Sequence, residues 1–423
     1  MKNIAAIILA AGKGTRMKSE VPKVLHKVCG RPMLGYVLDL VASLRIKKTV
    51  TVLGFKADDV RDFIGNASQT VIQKKLLGTA DAVKEALPLL KGFSGSVIVL
   101  YGDIPLLQKQ TIAKLIKRHA DSGAAATMLT AKIEKPVGYG RVLRDAYCSI
   151  YGIVEEKDAD DFQKGIKEIN TGIICFDMKK LVSALKRVKP NNRKKEYYLT
   201  DVIGILYKQG DVIESVDSPD VLETMGVNSR LELSKAQKIM QQRINEEFMK
   251  AGVSIIDPDS AFISYGVKIG QDTTIYPFTV IEKNVKIGKS CKVGPFARLR
   301  EGTVLNDEVV IGNFLEISRS ALGSKTLAKH FSYIGDCRIG KSVNIGAGTV
   351  TANYDGTHKN ITVIEDGAFI GSDTVLIAPV RIGKAAKTGA GSVVRRNHHV
   401  AAGQTVVGVP AQPLKAKAQI HKK

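Results

Sequence analysis

A glycine-rich segment near the amino terminus has the composition of a phosphate-binding loop. It reads Leu9-Ala10-Ala11-Gly12-Lys13-Gly14-Thr15-Arg16-Met17 and follows the apolar run Ile4–Ala10. Small residues let backbone N–H groups approach a phosphate chain closely, and Arg16 and the later Lys23 add positive charge. The spacing is neither that of a P-loop nor that of a dinucleotide-binding fingerprint, which disfavours an ordinary kinase or dehydrogenase. Taken alone, the segment is compatible with a nucleotide site or with a plain tight turn.

One histidine has the chemistry of a general base for a different reaction. An amine must lose a proton to attack a thioester, and neutral imidazole is the side chain best suited to accept it near pH 7. His330 stands in the segment Lys329-His330-Phe331-Ser332-Tyr333. A lone histidine is more often structural, so the residue type alone leaves both roles open.

The bulk composition excludes several classes of protein. With 423 residues, 44% of them hydrophobic and 25% charged, the chain is long enough for two globular domains. Its apolar runs are too short to cross a bilayer and its start lacks the cleavage region of a signal peptide, so we expect a cytoplasmic protein without a membrane partner. The five cysteines are scattered without paired spacing, which argues against a disulfide framework or a zinc site.

The formal charge of +22 is high. Such a charge favours nucleic acid, an anionic membrane or phosphate-rich small substrates, and does not choose among them. The positive residues are spread along a chain that has no tryptophan and no recognisable nucleic-acid motif, so we expect no nucleic-acid partner. The tail Lys415–Lys423 is predicted to be a disordered basic end.

The first half must position the glycine-rich loop, and its pattern is that of an α/β domain. The predicted strands are Ile4–Ala10, Thr49–Leu53, Val97–Tyr101 and Ala124–Ala131, and the predicted helices include Lys23–Leu44, Thr79–Leu90 and Thr111–His119. This alternation indicates a Rossmann-like domain around a mostly parallel sheet, in which ligands bind at the carboxyl ends of the strands. We assign residues 1–228 to it.

The second half has aliphatic residues with a period of six. No α-helix has that period, whereas a hexapeptide β-helix does: each segment forms one short strand and a corner, with its aliphatic residue in a narrow core, and three segments complete a triangular coil. Chance spacing in another β-rich domain is the weaker explanation. The period holds at Ile263, Ile269, Ile275, Ile281, Ile287, Val293, Leu299, Leu305, Ile311 and Ile317, and again at Ile364, Ile370, Leu376, Ile382, Thr388, Val394, Val400 and Val406.

The two halves are joined by a segment of helical character. Between Ser229 and Lys250, apolar residues are interleaved with charged residues and glutamine, which suits an amphipathic helix. We assign residues 229–252 to this linker and residues 253–423 to the β-helix with its basic tail. The repeat is interrupted near Ser318–Phe331 and at Asn353–Asn360, and we expect both interruptions to be protruding loops, where functional residues are commonly placed.

The first half resembles the sugar-nucleotidyltransferase family, which joins a nucleoside triphosphate to a sugar 1-phosphate. The resemblance rests on Leu9–Met17, Pro22–His26, Gln73 with Leu77–Thr79, and Tyr101–Asp103, and it continues through Gly138–Arg141, Ile153–Glu155, Glu168–Gly172, Glu196–Asp201 and Gly226–Asn228. It implies uracil near Gln73, phosphates near Lys23, sugar near Asn170, and Mg²⁺ on Asp103 and Asn228. The implied nucleotide- and sugar-binding residues are Leu9, Ala10, Ala11, Gly12, Arg16, Lys23, Gln73, Gly78, Thr79, Tyr101, Gly102, Asp103, Gly140, Glu155, Asn170 and Asn228.

The residue types agree with that chemistry. Attack of a sugar phosphate on the α-phosphorus brings anions together and needs a cation, positive side chains and alignment rather than a covalent nucleophile. An aspartate with an asparagine suits Mg²⁺, which binds oxygen and bridges phosphates. One departure from the family is the segment Gly78-Thr79-Ala80-Asp81-Ala82, where the family more often has glycine and histidine after the threonine.

The second half resembles the hexapeptide acyltransferases, which are left-handed parallel β-helices. The matching stretches are Gly294–Arg300, Gly312–Phe314, Val343–Thr349 and Asn353–Gly356. The resemblance implies His330 as the catalytic base, an acetyl-acceptor site of Arg300, Ser318, Tyr333, Asn344 and Lys359, and an acetyl-CoA site of Ala347, Asn353, Tyr354, Ser372 and Ala390. Ser318 stands where the family typically has a lysine for the sugar phosphate, and neighbouring Arg319 could turn inward to replace that charge.

Together the halves resemble bifunctional N-acetylglucosamine-1-phosphate uridylyltransferase/glucosamine-1-phosphate acetyltransferases. The implied substrates are UTP, N-acetylglucosamine 1-phosphate, glucosamine 1-phosphate and acetyl-CoA, and the implied assembly is a homotrimer with sites between subunits. Two alternatives remain. The first is a single-activity nucleotidyltransferase with a structural β-helix, which Ser318 favours. The second is a non-catalytic regulatory scaffold, which is disfavoured by the presence of Lys23, Asp103, Asn228 and His330.

Overall fold

The computed structural model describes residues 3–193 and 195–414, so the predicted basic end Lys415–Lys423 lies outside the described residues. The chain forms two compact units that divide between Gln237 and Lys238. The first unit is a mixed α/β structure and the second a stack of parallel strands, which confirms the predicted pairing of an α/β domain with a hexapeptide-repeat domain. No helix within the described ranges is long and apolar enough to cross a membrane.

The first unit contains one mixed sheet and a two-stranded ribbon, β2–β3. The sheet order is β11-β7-β10-β6-β1-β4-β5, with the hairpin β8–β9 attached to β10. The strands are β1 Ile4–Ala10, β2 Lys27–Val28, β3 Arg31–Pro32, β4 Lys48–Leu53, β5 Gln69–Ile72, β6 Ser96–Tyr101, β7 Ala126–Lys132, β8 Gly140–Arg144, β9 Ile150–Val154, β10 Glu168–Asp177 and β11 Ile213–Asp217. Strands β4 and β6 flank β1 in parallel, so β1 and β6 end at the same edge of the sheet.

Helices flank this sheet and connect its strands. They are α1 Met33–Ser43, α2 Ala57–Ile64, α3 Thr79–Ala86, α4 Lys109–Ser122, α5 Asp161–Lys164, α6 Met178–Leu185 and α7 Asp201–Lys208, with 3₁₀ turns at Thr15–Met17, Lys23–Leu25, Leu87–Leu90 and Val221–Thr224. A further helix, α8 Arg230–Lys250, follows the last strand of the sheet and continues into the second unit, where Ile244 and Phe248 pack against the core. The predicted helix Lys23–Leu44 is not continuous: Lys23–Leu25 form a 3₁₀ turn, and residues 26–32 are not helical. Cys29 and Gly30 turn the ribbon with φ of 44° and 80°, which no α-helix contains, and the helix starts only after Pro32.

Strand β1 explains why the loop that follows it is held firmly. All seven of its residues are buried, as expected for a parallel strand covered on both faces. Ala5 and Ile7 belong to the apolar cluster on one face of the sheet, and Ala6 and Ile8 belong to the cluster on the other. The glycine-rich loop therefore begins at a rigid point in the centre of the sheet.

The second unit winds as a triangular prism with three parallel faces. Face 1 consists of Ser254–Ile255, Thr274–Ile275, Lys292–Val293, Val310–Ile311, Leu327–Ala328, Asn344–Ile345, Phe369–Ile370, Lys387–Thr388, Thr405–Val407 and the antiparallel Gln412–Pro413. Face 2 consists of Phe262–Ile263, Val280–Ile281, Arg298–Leu299, Leu315–Ser318, Ser332–Gly335, Val350–Ala352, Val375–Ile377 and Val393–Val394. Face 3 consists of Lys268–Ile269, Lys286–Ile287, Val304–Leu305, Ala321–Leu322, Cys337–Ile339, Thr362–Ile364 and Val380–Ile382.

The six-residue period corresponds to one face. Ile275 pairs with Val293, which lies 18 residues later, so three faces complete one coil. The periodic residue points inward: Ile281 is fully buried whereas Val280, one residue earlier, is 37% exposed. We call the corner between faces 1 and 2 edge 1–2, and the corner between faces 2 and 3 edge 2–3.

Only one of the two predicted interruptions is a protruding loop. The prediction for Ser318–Phe331 is wrong, because Ala321–Leu322 and Leu327–Ala328 continue faces 3 and 1 there. The inward residues Ile317 and Leu322 are simply five residues apart instead of six, which breaks the sequence period without breaking the coil. Residues 353–360 do leave the coil, and Tyr354 bridges Lys359 across this loop.

Candidate active sites

A cavity of about 1000 Å³ lies at the carboxyl ends of β1 and β6 in the first unit. The structure brings most of the predicted nucleotide- and sugar-binding residues together in its wall. These are Leu9, Ala10, Ala11, Gly12, Arg16, Lys23, Gln73, Gly78, Thr79, Tyr101, Asp103, Glu155, Asn170 and Asn228. The volume suits a small-molecule ligand with several polar groups.

Two predicted residues support the wall without forming it. A Cβ on Gly102 would lie 3.1 Å from Leu34 and 3.2 Å from Val24, so Gly102 packs closely against these apolar side chains. A Cβ on Gly140 would lie 3.2 Å from Ile153 and 3.5 Å from the Glu155 carboxylate. Both glycines make room for neighbours and are not lining residues.

The loop after β1 packs against the segment that carries Lys23. Gly14 has φ of 62°, and a Cβ there would stand 2.6 Å from the Cβ of Lys23. Glycine at this position therefore permits both the left-handed turn and the close approach. A Cβ on Gly12, in contrast, would meet nothing within 4 Å, because that residue faces open space.

Lys23, Asp103 and Asn228 form a charged cluster in the cavity wall. The Lys23 ammonium is ion-paired with Oδ2 of Asp103 and donates a hydrogen bond of 3.1 Å to Oδ1 of Asn228. Asp103 follows β6, and its carbonyl accepts from the N–H of Val227, which holds the chain beside Asn228. The backbone N–H of Asn228 donates to Glu232 in the first turn of α8. The two predicted Mg²⁺ ligands thus converge on one cation, the ammonium group of Lys23.

The start of α3 shows what the unusual Asp81 does. Gln73 donates from its amide nitrogen to the carbonyl of Gly78, at 3.0 Å, and to Oδ2 of Asp81, at 2.8 Å. Gly78 has φ of 125°, and a Cβ there would be 2.4 Å from the Tyr197 carbonyl oxygen. Asp81 therefore orients the Gln73 amide, while Gly78 allows the close contact with the segment that contains Tyr197.

The wall near Glu155 is rich in carboxylates. Thr200 donates to Glu155, and a hydrogen bond links Tyr101 with Thr79. Burial raises the pKa of Tyr198 to about 12, with further contributions from the negative charges of nearby Asp158, Glu196, Glu155 and Asp201. Such acceptors suit hydroxyl groups, whereas the wall near Arg16 and Lys23 suits phosphates.

Several lining residues were missed by the sequence reasoning. They are Thr15, Val24, Leu76, Ala82, Ile104, Gly138, Tyr139, Glu156, Lys157, Thr171, Glu196, Tyr198, Thr200, Thr224 and Gly226. Some belong to motif segments, such as Glu196–Asp201, so the motif match was an available signal for them. The apolar ones have no chemical signature that distinguishes them from core residues.

In the second unit, the predicted acetyl-transfer residues form two separate groups. His330 lies on edge 1–2, just after the face 1 strand Leu327–Ala328. Ala347, Ser372 and Ala390 follow on the same edge in successive coils: the N–H of Asp373 donates to Ala347 and that of Gly391 donates to Ser372. They form a column of small residues that extends along the edge from the coil after His330.

The other group lies around edge 2–3. Arg300 is paired with Glu316 at 2.8 Å, and Ser318, only 1% exposed, accepts a hydrogen bond of 2.8 Å from Arg319. Asn353 begins the protruding loop, which also contains Tyr354 and Lys359. Tyr333 is on face 2, between the two edges, and Asn344 is on face 1. The chain therefore keeps His330 and the residues of edge 2–3 on different edges of the prism.

Comparisons with known proteins agree with both units. Residues 6–162 match the family model of the MobA-like NTP transferase domain, and residues 266–301 and 361–396 match that of the bacterial transferase hexapeptide. The chain is thus a two-domain transferase with a nucleotidyltransferase half and a hexapeptide half.

Its relatives carry both halves. The bifunctional protein GlmU of a Geobacillus species is 46% identical over 422 residues, 92% of each chain. The bifunctional protein GlmU of Geobacillus thermodenitrificans is 45% identical over 92% of each chain. That of Pelotomaculum thermopropionicum is also 45% identical, over 89% of this chain and 90% of the relative. The chain belongs to the GlmU family. Membership confirms the predicted uridylyltransferase and acetyltransferase activities in UDP-N-acetylglucosamine synthesis, and speaks against the single-activity and scaffold alternatives.

The carboxylate-rich wall generates a prediction about pH. Burial, and then the charge of Asp158, raises the pKa of Asp201 to about 6, so folding favours its neutral form. In the unfolded chain Asp201 loses its proton near pH 4, whereas in the folded protein it loses it only near pH 6. The free energy of unfolding therefore falls progressively as pH rises from about 4 to about 6. We expect Asp201→Asn to become more stable than the parent over that interval, with a constant difference above it, as measured by thermal unfolding between pH 4 and pH 8. Asp161→Asn, at the exposed start of α5, is the matched control; a difference independent of pH would contradict the assignment.

Proposed function

We propose that the cavity of the first unit is the uridylyl-transfer site and that the cluster of Lys23, Asp103 and Asn228 is its phosphate and metal centre. The observation that carries the proposal is the convergence of both predicted metal ligands on the Lys23 ammonium at the edge of the sheet where the parallel strands β1 and β6 end. A phosphate oxygen of N-acetylglucosamine 1-phosphate attacks the α-phosphorus of UTP, and pyrophosphate leaves. No covalent intermediate with the protein is needed, so the side chains act by alignment and charge.

The donor set fits Mg²⁺. One carboxylate oxygen and one amide oxygen, already arranged around a positive group, are ligands that Mg²⁺ accepts together with phosphates and water. Bound there, Mg²⁺ supplies positive charge to the phosphates. With Asp103 engaged by the ion, Lys23 and Arg16 would be available to pair with phosphate oxygens. The Glu155 wall accepts hydrogen bonds from the hydroxyls of the sugar.

The first prediction of this proposal concerns Lys23 and Asp103. Asp103→Asn removes the only charge of the proposed metal pair, and we expect it to lower kcat/KM for pyrophosphate release about 100-fold or more. Lys23→Met removes the competing cation, so Mn²⁺ should bind more tightly in calorimetric titrations without UTP, although turnover falls. The exposed Asp59→Asn is the control. Uridylyl transfer within threefold of the parent in Asp103→Asn would refute the metal assignment.

For the second unit, the proposed base is His330. Its neutral imidazole takes a proton from the amino group of glucosamine 1-phosphate as the nitrogen attacks the thioester carbonyl of acetyl-CoA, and the thiolate of CoA leaves and is protonated. The small residues Ala347, Ser372 and Ala390 give the pantetheine chain a narrow path along edge 1–2. The cations Arg300 and Lys359 are the groups suited to the sugar phosphate.

A homotrimer is the proposed assembly. Support comes from the separation of His330 on edge 1–2 from Ser318, Asn353 and Lys359 around edge 2–3, since one prism offers these groups on different edges. If edge 1–2 of one copy faces edge 2–3 of the next, a threefold ring completes each site and closes on itself. UTP and acetyl-CoA are metabolites of the cell interior, which supports the proposed cytoplasmic location.

The acetyl-transfer proposal predicts the behaviour of His330→Gln. Loss of the base should lower free-thiol release from acetyl-CoA with glucosamine 1-phosphate by roughly 10²- to 10⁴-fold, because no group remains to accept the amine proton. Pyrophosphate release by the same preparation should be unchanged, which serves as an internal measure of folding. The exposed His398→Gln is the matched control. Unchanged thiol release in His330→Gln would show that another group is the base.

A further inference from the structure

The ion pair between Arg319 and Asp336 lies on edge 2–3 and contacts three residues of the proposed acetyl-transfer site. Asp336 accepts two hydrogen bonds from Arg319, from Nε at 2.7 Å and from Nη2 at 2.8 Å, and a third from the side-chain amide of Asn353. Its side chain is 13% exposed, and Arg319 above all holds the pKa of this carboxyl below its ordinary value. The carboxylate therefore stays charged and connects the coil to the first residue of the protruding loop.

Arg319 connects the same carboxylate to the acceptor side. Its Nη1 donates to the buried hydroxyl of Ser318 at 2.8 Å, and a further hydrogen bond links it with Tyr333. The guanidinium thus does turn toward Ser318, as the sequence suggested, but Asp336 neutralises it. Its three nitrogens Nε, Nη1 and Nη2 are all engaged by Asp336 and Ser318, so Arg319 is placed to hold these groups and not to bind a phosphate.

Another arginine–carboxylate pair of the prism also joins two neighbouring coils but lacks these connections, and its arginine donates to a single carboxylate oxygen where Arg319 donates to both. Arg381 pairs with Glu365 of the preceding coil through Nε and Nη2, as Arg319 pairs with Asp336 of the following coil. In that pair the arginine side chain is 61% exposed and the carboxylate 29% exposed, against 37% and 13% for Arg319 and Asp336. Glu365 otherwise accepts only from the backbone of Lys384 among the described residues. We call an ion pair that only joins two neighbouring coils, such as Arg381 with Glu365, a ladder pair. A ladder pair does not require the contacts that Arg319 and Asp336 make with Ser318, Tyr333 and Asn353.

We propose that Arg319 and Asp336 are positioning residues of the acetyl-transfer site, an inference that rests on the proposed function of that site. Asp336 acts through Asn353, which orders the loop proposed to contact acetyl-CoA. Arg319 acts through Ser318 and Tyr333, two residues of the proposed acetyl-acceptor site. The pair therefore couples the two substrate sites, while His330 on edge 1–2 is outside its reach.

The test is the distribution of the effect between KM and kcat. Asp336→Asn keeps the shape of the side chain and suits the left-handed backbone at this position, φ of 52°, so the backbone is not strained. We expect KM for glucosamine 1-phosphate and KM for acetyl-CoA each to rise about tenfold, with kcat within about threefold of the parent. Arg319→Gln should act in the same direction and Arg319→Lys should recover part of the loss. Arg381→Gln, the matched ladder variant, should change either KM by less than about twofold.

Other distributions overturn the inference. Both KM values within about twofold of the parent in Asp336→Asn, or an effect no larger than that of Arg381→Gln, would show that the pair is only a ladder contact. If Asp336→Asn loses uridylyl transfer as well, its fold is damaged and Arg319→Lys decides: KM values equal to the parent's overturn the inference. If His330→Gln abolishes acetyl transfer while Asp336→Asn leaves both KM values unchanged, the proposed function of the site is retained and the role of the Arg319–Asp336 pair is overturned. Absence of acetyl transfer in the parent protein overturns both.

Discussion

The inward-facing residues of the strands in both units are deeply buried, so reactive side chains lie mainly where strands end or, as at Tyr333, on the outward side of a strand. Every residue of β1 is buried, and in the prism each strand directs an aliphatic residue such as Ile281 or Ile311 into a closed core. A charged group at those positions would lose its hydration without a partner. Hence the phosphate loop follows β1, Asp103 follows β6, and His330 and Arg319 lie at corners of the prism.

The constraint has different consequences in the two units. In the first unit, parallel strands end at one edge of the sheet, so a single chain gathers its basic loop, its oxygen pair and its carboxylate-rich wall around one cavity. In the prism, successive strands end at different corners. Residues that follow face 1 strands and residues that follow face 2 strands are thereby separated, and the proposed acetyl-transfer site requires a second copy of the chain.

Features set by local burial could be predicted from the sequence, whereas features set by contacts between distant parts of the chain could not. The bounds of β1 and the six-residue period were readable because burial alone produces them. The helix predicted from Lys23 failed because the turn at Cys29 and Gly30 outweighs local helical character, and the loop predicted at Ser318–Phe331 failed because a one-residue shortening resembles an interruption. The pair of Arg319 and Asp336 could not be predicted, because residues 17 positions apart can be recognised as neighbours only when the register of the coils is known.

Subunit complementation tests most directly whether the acetyl-transfer site is shared between copies. His330→Gln and Lys359→Ala chains with different tags are co-expressed, and mixed trimers are isolated through both tags. In a ring with two copies of one chain and one of the other, one of the three junctions combines an intact His330 with an intact Lys359. The account predicts acetyl transfer at about one third of the parent's specific activity. Activity no higher than that of the two variants alone would contradict it.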